Sequence, residues 1–216
     1  MIDRKFLRRA PTLVGALQRP KYEPASYLTA HDLQTEQRYR LQRLRRHNRY
    51  LHGWGVVCGL LVVPANDLYR PWAVQVCPGY AIGPHADEIG VQMPAAVDVC
   101  DYLWRRPHNA AGNLVRTAYV GIRYAEQEAQ AVPTQPTGCR CDETSYKPSR
   151  IRDSFQVDIL WGFPKSDDAE GFDICAPAPT HCPECPLSPY VVLASITLPA
   201  NEGDPVTSDH IDNFGR

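Results

Sequence analysis

Apolar and polar positions repeat with two different periods along the chain, and the change falls near residue 55. Before it, one set of positions recurs every three or four residues: Leu33, Gln37, Leu41, Leu44, Asn48 and Leu51. This spacing places the set on one face of an α-helix, apolar with two polar breaks. Thr29 followed by Asp32 is typical of a capping box at a helix start, and Gly53 would end the helix. The pattern predicts a helix of about six turns.

After Gly55 the pattern predicts β-strands, as apolar runs and alternating segments bounded by glycine and proline. They are Val56–Val63, Trp72–Cys77, Tyr80–Ile82, Glu88–Gln92, Ala118–Tyr124, Phe155–Leu160 and Tyr190–Leu198. We expect loops at residues 104–115 and in two proline- and cysteine-rich stretches, 131–150 and 164–189. Trp54, between Gly53 and Gly55, is expected to anchor its ring in the core at a sharp turn.

The fold class that follows is α+β, with one long N-terminal helix followed by a β-rich body that carries long Pro/Cys-rich loops. Residues 1–26 are expected to form an extended N-terminal arm, because three prolines interrupt any regular element there. Residues 27–55 would contain the helix and the Gly-Trp-Gly turn. Residues 56–216 would form the β-rich body, with metal-stapled loops.

Composition is that of a soluble globular protein: 216 residues, 44% hydrophobic and 22% charged. The net charge of −1 gives the whole molecule no electrostatic attraction for nucleic acid. No stretch approaches the roughly 20 apolar residues that span a bilayer. We therefore expect assembly in the cytoplasm, where eight cysteines are thiols or metal ligands more often than disulfides.

Six arginines lie within the twelve residues from Arg38 to Arg49. Such a run is either a solvated helix face or a docking surface for an acidic partner. The second interpretation predicts a subunit interface at Arg38, Arg45, Arg46 and Arg49.

The cysteines of the two loop stretches predict a metal site. Cys-x-Cys at Cys139 and Cys141, and Cys-x-x-Cys at Cys182 and Cys185, can each turn two thiolates toward one metal. Four thiolates around Zn²⁺ would form a closed structural site that staples loops with little core of their own. Cys175 is a rival fourth ligand. Unmetallated thiols, a disulfide or an iron–sulfur cluster are the alternatives, and Cys58, Cys77 and Cys100 are expected to be small buried hydrophobes.

Catalytic constellations are not evident in the sequence. Ser195 lacks the Gly-x-Ser-x-Gly elbow, and neither a phosphate-binding loop nor His-Glu-x-x-His is present. His85, Asp87 and Glu88 form either a cation site or a solvated turn. We therefore expect a protein that is not an enzyme.

The helix and the turn after it carry a resemblance. The residues from Tyr27 to Tyr39, then His47-Asn-Arg-Tyr-Leu-His-Gly-Trp-Gly-Val-Val-Cys-Gly-Leu60, resemble a family of small bacterial proteins associated with gene clusters for phage-tail-like contractile injection systems. Weaker matches continue through Cys77-Pro-Gly-Tyr-Ala-Ile82 and Cys182-Pro-Glu-Cys185 to Ile211-Asp-Asn213. Gly83 and Ala86 depart from the Asp and Gly expected in the turn after Ile82.

The resemblance implies a structural or assembly component of such a particle, at the baseplate or tail periphery, whose partners are other particle subunits or further copies of itself. It would be released from the cell only as part of the particle. The alternatives are a zinc-dependent hydrolase or thiol redox protein, a particle-associated cargo, and a surface-binding adaptor.

Overall fold

The computed structural model describes residues 17–134, 145–163, 186–201 and 203–214. One α-helix, α1 (Ala30–His47), is followed by a π-helical turn, Asn48–His52. The strands are β1 (Gly55–Gly59), β2 (Val62–Pro64), β3 (Ala73–Val76), β4 (Gly79–Ile82), β5 (Glu88–Val91), β6 (Ala95–Asp98), β7 (Thr117–Thr134), β8 (Ser145–Leu160), β9 (Val191–Thr197) and β10 (Ile211–Asp212). A 3₁₀-helix, Val99–Arg105, follows β6, and a shorter one, Ser208–His210, precedes β10.

Helix α1 begins where the sequence predicts. The Thr29 hydroxyl accepts a hydrogen bond from the Asp32 amide at 3.2 Å, and the Asp32 carboxylate accepts one from the Thr29 amide at 2.9 Å. This reciprocal capping box satisfies two amides that the first helical turn leaves without partners. The predicted N-cap at Thr29 is therefore confirmed.

Three antiparallel sheets in the described part of the chain share one hydrophobic core. Their strand orders are β1-β4-β5, β2-β3-β6 and β10-β9-β7-β8. Trp72, Val74 and Val76 of the second sheet lie in the same buried cluster as Val120 and Leu193 of the third. The Trp72 indole also donates to the Asp204 carbonyl at 3.0 Å, so a polar atom in the core has its partner.

The expected fold class is wrong. The described residues are mostly β-sheet, and α1 is 18 residues long, with five more residues in the π-helical turn. None of the residues of α1 is buried, so the helix is not a layer of the fold. The leucines of the predicted apolar helix face are exposed and do not belong to the core formed by the described residues.

The prediction of a loop over residues 131–150 is also wrong at both ends, because β7 continues to Thr134 and β8 begins at Ser145. The prolines that suggested a loop pair as strand residues, Pro133 with Tyr146 and Pro148 with Ala131. Proline is tolerated at sheet edges, where its missing amide removes no ladder hydrogen bond. Here β8 is an edge strand, and β7 has no second neighbour beyond Ile122.

Trp54 does not anchor in the core, because 41% of its surface is exposed. Gly53 has a φ of 72°, a backbone angle that residues with a side chain rarely adopt, so the predicted sharp turn is present. In the part of the chain that the structure describes, no helix is both long and apolar enough to cross a membrane.

Candidate functional site

The C-terminal end of α1 is attached to the turn between β4 and β5. The Arg45 guanidinium donates to the Asp87 carboxylate, with 2.6 Å between Nε and Oδ1. The Asn48 amide, which is buried, donates to the Ala86 carbonyl at 3.2 Å. Both contacts lie within four residues of each other, so the helix is held to the β-sheets near one end.

The apolar face of α1 has no partner within the described chain. Leu33, Leu41 and Leu44, called the leucine stripe below, are 48%, 39% and 45% exposed. Their spacings of eight and three residues place them on one side of the helix, the side on which Asn48 docks. Leu51 continues this side into the π-helical turn and is 63% exposed. Exposed apolar side chains aligned in this way are typical of a protein–protein contact surface.

The chain that precedes α1 runs beside the helix on the side away from the leucine stripe. Residues 19–22 line a surface groove together with Glu36 and Tyr39, and the Tyr22 hydroxyl donates to the Glu36 carboxylate. Hydrogen bonds from Tyr22 and Arg40 lower the pKa of Glu36, and the carboxylate raises the pKa of Tyr22. The preceding segment therefore contacts the helix on the side away from the leucine stripe and leaves the leucines exposed.

The four arginines of the predicted interface occupy different surroundings. Arg38 is exposed beside the leucine stripe. Arg45 is engaged with Asp87, and Arg49 is half-buried. Arg46 is exposed but lies about 200° around the helix axis from Asn48, on the far side from the stripe. On an ideal helix the four side chains fall within an arc of about 100°. Of the four, only Arg38 and Arg46 are exposed. The role of the four arginines as an interface stays a prediction.

A second polar cluster lies on the face of the third sheet that points away from the core. Asp158, 8% exposed, accepts hydrogen bonds from the Tyr102 hydroxyl at 3.0 Å, the Gln156 amide at 3.0 Å and the Tyr190 hydroxyl at 2.9 Å. Arg123 adds an ion pair at 3.5 Å. The Tyr190 ring lies close to Gly121 of β7, where a Cβ would come 3.1 Å from the ring carbon Cδ1, so the absence of a side chain at Gly121 makes room for the tyrosine.

The chemistry of this cluster favours a structural role. Burial, followed by the hydrogen bond to Asp158, raises the pKa of Tyr102 to about 12, and burial also raises the pKa of Tyr190. Both phenols therefore remain protonated donors at neutral pH. Both carboxylate oxygens are occupied, so Asp158 joins the 3₁₀-helix, β7, β8 and the segment before β9 rather than presenting a free base.

All five cysteines of the predicted zinc site, Cys139, Cys141, Cys175, Cys182 and Cys185, lie outside the described residues. Among the residues that the structure does describe, no group of three or more histidine, cysteine, aspartate or glutamate side chains could hold a metal. Cys58 and Cys100 are exposed free thiols, so the expectation that they are buried is wrong. Cys77 is intermediate.

Sequence reasoning missed both anchors of the helix. Asp87 was considered only for a cation site or a solvated turn, whereas its side chain is 10% exposed and binds Arg45. Asn48 had a usable signal, since a polar residue on an apolar helix face often has a buried hydrogen-bond partner. Asp158 gave no comparable signal within its alternating strand.

Comparison with known proteins finds no matching family model and no matching curated protein. Two solved structures are similar in part. One is a chain of the type VI secretion system TssK-TssF-TssG baseplate subcomplex, with a TM-score of 0.43, 11% identity, and coverage of 86% of this chain and 58% of that chain. The other is a chain of the baseplate complex from the type VI secretion system, with a TM-score of 0.42, 11% identity, and coverage of 86% and 56%. The chain thus spans little more than half the length of either, and both TM-scores are too low to assign a fold or a function.

Proposed function

We propose that this chain is a non-enzymatic structural component of a phage-tail-like contractile injection particle, at its baseplate or tail periphery. The observation that carries the proposal is the leucine stripe: an amphipathic helix held at one end, with its apolar side open. A monomer that worked alone would gain nothing from three aligned leucines in water, whereas a subunit uses such a face to bind its neighbour. The resemblance of residues 27–213 to a family associated with gene clusters for phage-tail-like contractile injection systems supplies the kind of assembly.

The test is incorporation of a stripe variant into particles. Leu33→Gln, Leu41→Gln and Leu44→Gln together remove the apolar side but keep good helix formers. Because these side chains are 39–48% exposed and none belongs to the core cluster of the described residues, the variant should keep the circular dichroism of the wild type and a thermal midpoint close to it. We expect it to be missing from purified particles, as measured by quantitative mass spectrometry of particle subunits.

Leu114→Gln is the matched control, since Leu114 is 44% exposed on the β-body and close in exposure to Leu44. The control should be incorporated normally. Incorporation of the folded stripe variant at the wild-type ratio would overturn the proposal. Loss of the wild-type protein from washed, empty particles would favour the cargo alternative.

The proposal includes a structural zinc bound by thiolates from Cys139, Cys141, Cys182 and Cys185, with Cys175 as the rival ligand. Two chain connections support it: residues 135–144 lie between β7 and β8, and residues 161–190 lie between β8 and β9. Both are rich in residues that build little core, so a metal would supply folding free energy that burial does not. Metal content of the purified chain measures this directly.

A further inference from the structure

The paired strands β7 and β8 extend far beyond the rest of their sheet. The partner of Ile122 on β9 is Val191, the last pair of that ladder, while β7 and β8 stay paired as far as Thr134 and Ser145. Residues 123–134 of β7 and 145–156 of β8 therefore pair only with each other among the described strands. We call this two-stranded segment the ribbon. At about 3.3 Å per residue the ribbon is roughly 40 Å long.

Charge is divided between the two faces of the ribbon. Side chains on a strand alternate, so the face that continues from buried Val120 and Ile122 carries Tyr124, Glu126 and Glu128 on β7. Opposite them on β8 are Phe155, Asp153 and Ile151. The other face carries Arg150 and Arg152. We call Glu126, Glu128 and Asp153, all exposed, the acidic ribbon face.

This acidic face is electrostatically incomplete. Glu126 and Asp153 stand directly opposite each other in the strand register, an arrangement that like charges disfavour. The Tyr124 hydroxyl lies 2.7 Å from Asp153 and 3.2 Å from Glu126, but its single proton can satisfy only one carboxylate at a time. In the described part of the chain, none of the three carboxylates forms an ion pair with a cationic side chain.

Helix α1 carries the complementary charge and the complementary apolar surface. No acidic residue occurs between Glu36 and the end of the π-helical turn. Arg38 lies on one side of the leucine stripe, and Arg40, which pairs with Glu36 but keeps 77% of its side chain exposed, lies on the other. Two such helices would place arginine against arginine, so the stripe does not fit its own copy face to face. The ribbon offers carboxylates for the arginines, and Ile151, 69% exposed, for the leucines.

The dimensions also match. From Leu33 to Leu44 the helix rises roughly 16 Å, and from Tyr124 to Glu128 the ribbon rises roughly 13 Å. A helix laid along the ribbon would therefore bring its arginines and leucines over the acidic face together.

We propose that the leucine stripe of one copy, with Arg38 and Arg40, docks on the acidic ribbon face of a second copy. The inference rests on the proposed function, in that it names a second copy as the partner of the stripe. Because the two surfaces differ, the contact is head-to-tail, and each copy retains one free surface of each kind for the next copy. Such contacts close into a ring or continue as a filament.

The test is self-association of the purified full chain, followed by sedimentation velocity over a concentration series up to about 0.5 mM. The contact is between exposed charges, so association should be strongest at low salt and weaken as the screening length falls to about 10 Å at 0.1 M salt. Two charge-reversal variants separate the surfaces: Glu126→Arg with Glu128→Arg on the ribbon, and Arg38→Glu with Arg40→Glu on the helix.

Each variant alone should associate roughly tenfold or more weakly than the wild type, because like charges then face each other. An equimolar mixture of the two should regain association, because the helix of the ribbon variant can still dock on the ribbon of the helix variant. Arg150→Glu with Arg152→Glu is the control: it changes net charge as the helix variant does, but on the other ribbon face, and should associate like the wild type.

A wild type that is monomeric over the whole series would overturn the inference, as would a control that weakens association as much as the helix variant. Circular dichroism of every variant verifies folding. Failure here is distinguishable from failure of the proposed function: a monomeric wild type whose stripe variant is still excluded from particles would leave the structural role intact and make another subunit the partner.

Discussion

Replacing Asp158 by alanine should destabilise the protein by about 3 kcal/mol. Three neutral donors and one guanidinium converge on this carboxylate. A hydrogen bond to a charged group contributes about 1.5–3 kcal/mol when both partners are shielded from water. Here the donors are half-buried or exposed and can bind water again, so we take about half of the sum of the three bonds. For a chain of this size the melting temperature should fall by roughly 6–12 °C.

The assay is urea unfolding followed by tryptophan fluorescence, with Asp158→Ala, Tyr190→Phe and the double variant measured together. Tyr190→Phe alone should cost about 1 kcal/mol, and it should cost almost nothing in the Asp158→Ala background, because the acceptor is already gone. Glu128→Ala, an exposed acid on the neighbouring ribbon, should stay within about 0.5 kcal/mol of the wild type. If Asp158→Ala behaves like Glu128→Ala, the cluster does not hold the sheet and the reasoning is wrong.

Two further predictions concern ionisation and metal. The Tyr102 phenol, with its pKa raised from 10.0 to about 12, should contribute stability that is complete below pH 10 and is lost as the pH rises from 10 toward 12. Ultraviolet titration of tyrosinate and unfolding at each pH, for the wild type and for Tyr102→Phe, measure this loss. A Tyr102→Phe variant with the same alkaline stability profile as the wild type would contradict the prediction. Protein purified without chelator should contain about one zinc per chain by elemental mass spectrometry. Two double variants, Cys139→Ser with Cys141→Ser and Cys182→Ser with Cys185→Ser, should each lose the metal and unfold at a lower temperature than the wild type. Retention of full metal by either double variant would rule out a shared four-thiolate site.

The start of the helix and the central parts of several strands could be predicted from sequence because their signals are local. Thr29 and Asp32 define a cap within four residues, and Ala118–Tyr124 shows the strand pattern directly. The surface that the leucine stripe contacts could not be predicted, because the same periodicity results whether a helix packs on its own sheet or on another molecule. Pro133 and Pro148 suggested a loop, since nothing near them in sequence indicates that they lie on strand edges.

The candidate surfaces depended on long-range pairing in the same way. The charge run around Arg38 was visible in the sequence, but the engagement of Arg45 by Asp87, 42 residues later, was not. The acidic ribbon face arises only when Glu126 and Asp153 are brought into register across a hairpin. Strand register is a property of two segments together, so neither segment alone predicts it.

Helix α1 is attached to the β-sheets near its C-terminal end, so a small rotation at this attachment displaces its N-terminal end. From Arg45, which is fixed to Asp87, to Ala30 the helix extends roughly 22 Å. A pivot of about 10° at this attachment moves the far end by roughly 4 Å, about the diameter of a methyl group, without disturbing the core, since no residue of the helix belongs to it. In the proposed contact, the helix would follow small displacements of the docked molecule by turning at this attachment, while the packing of the β-sheets is unchanged.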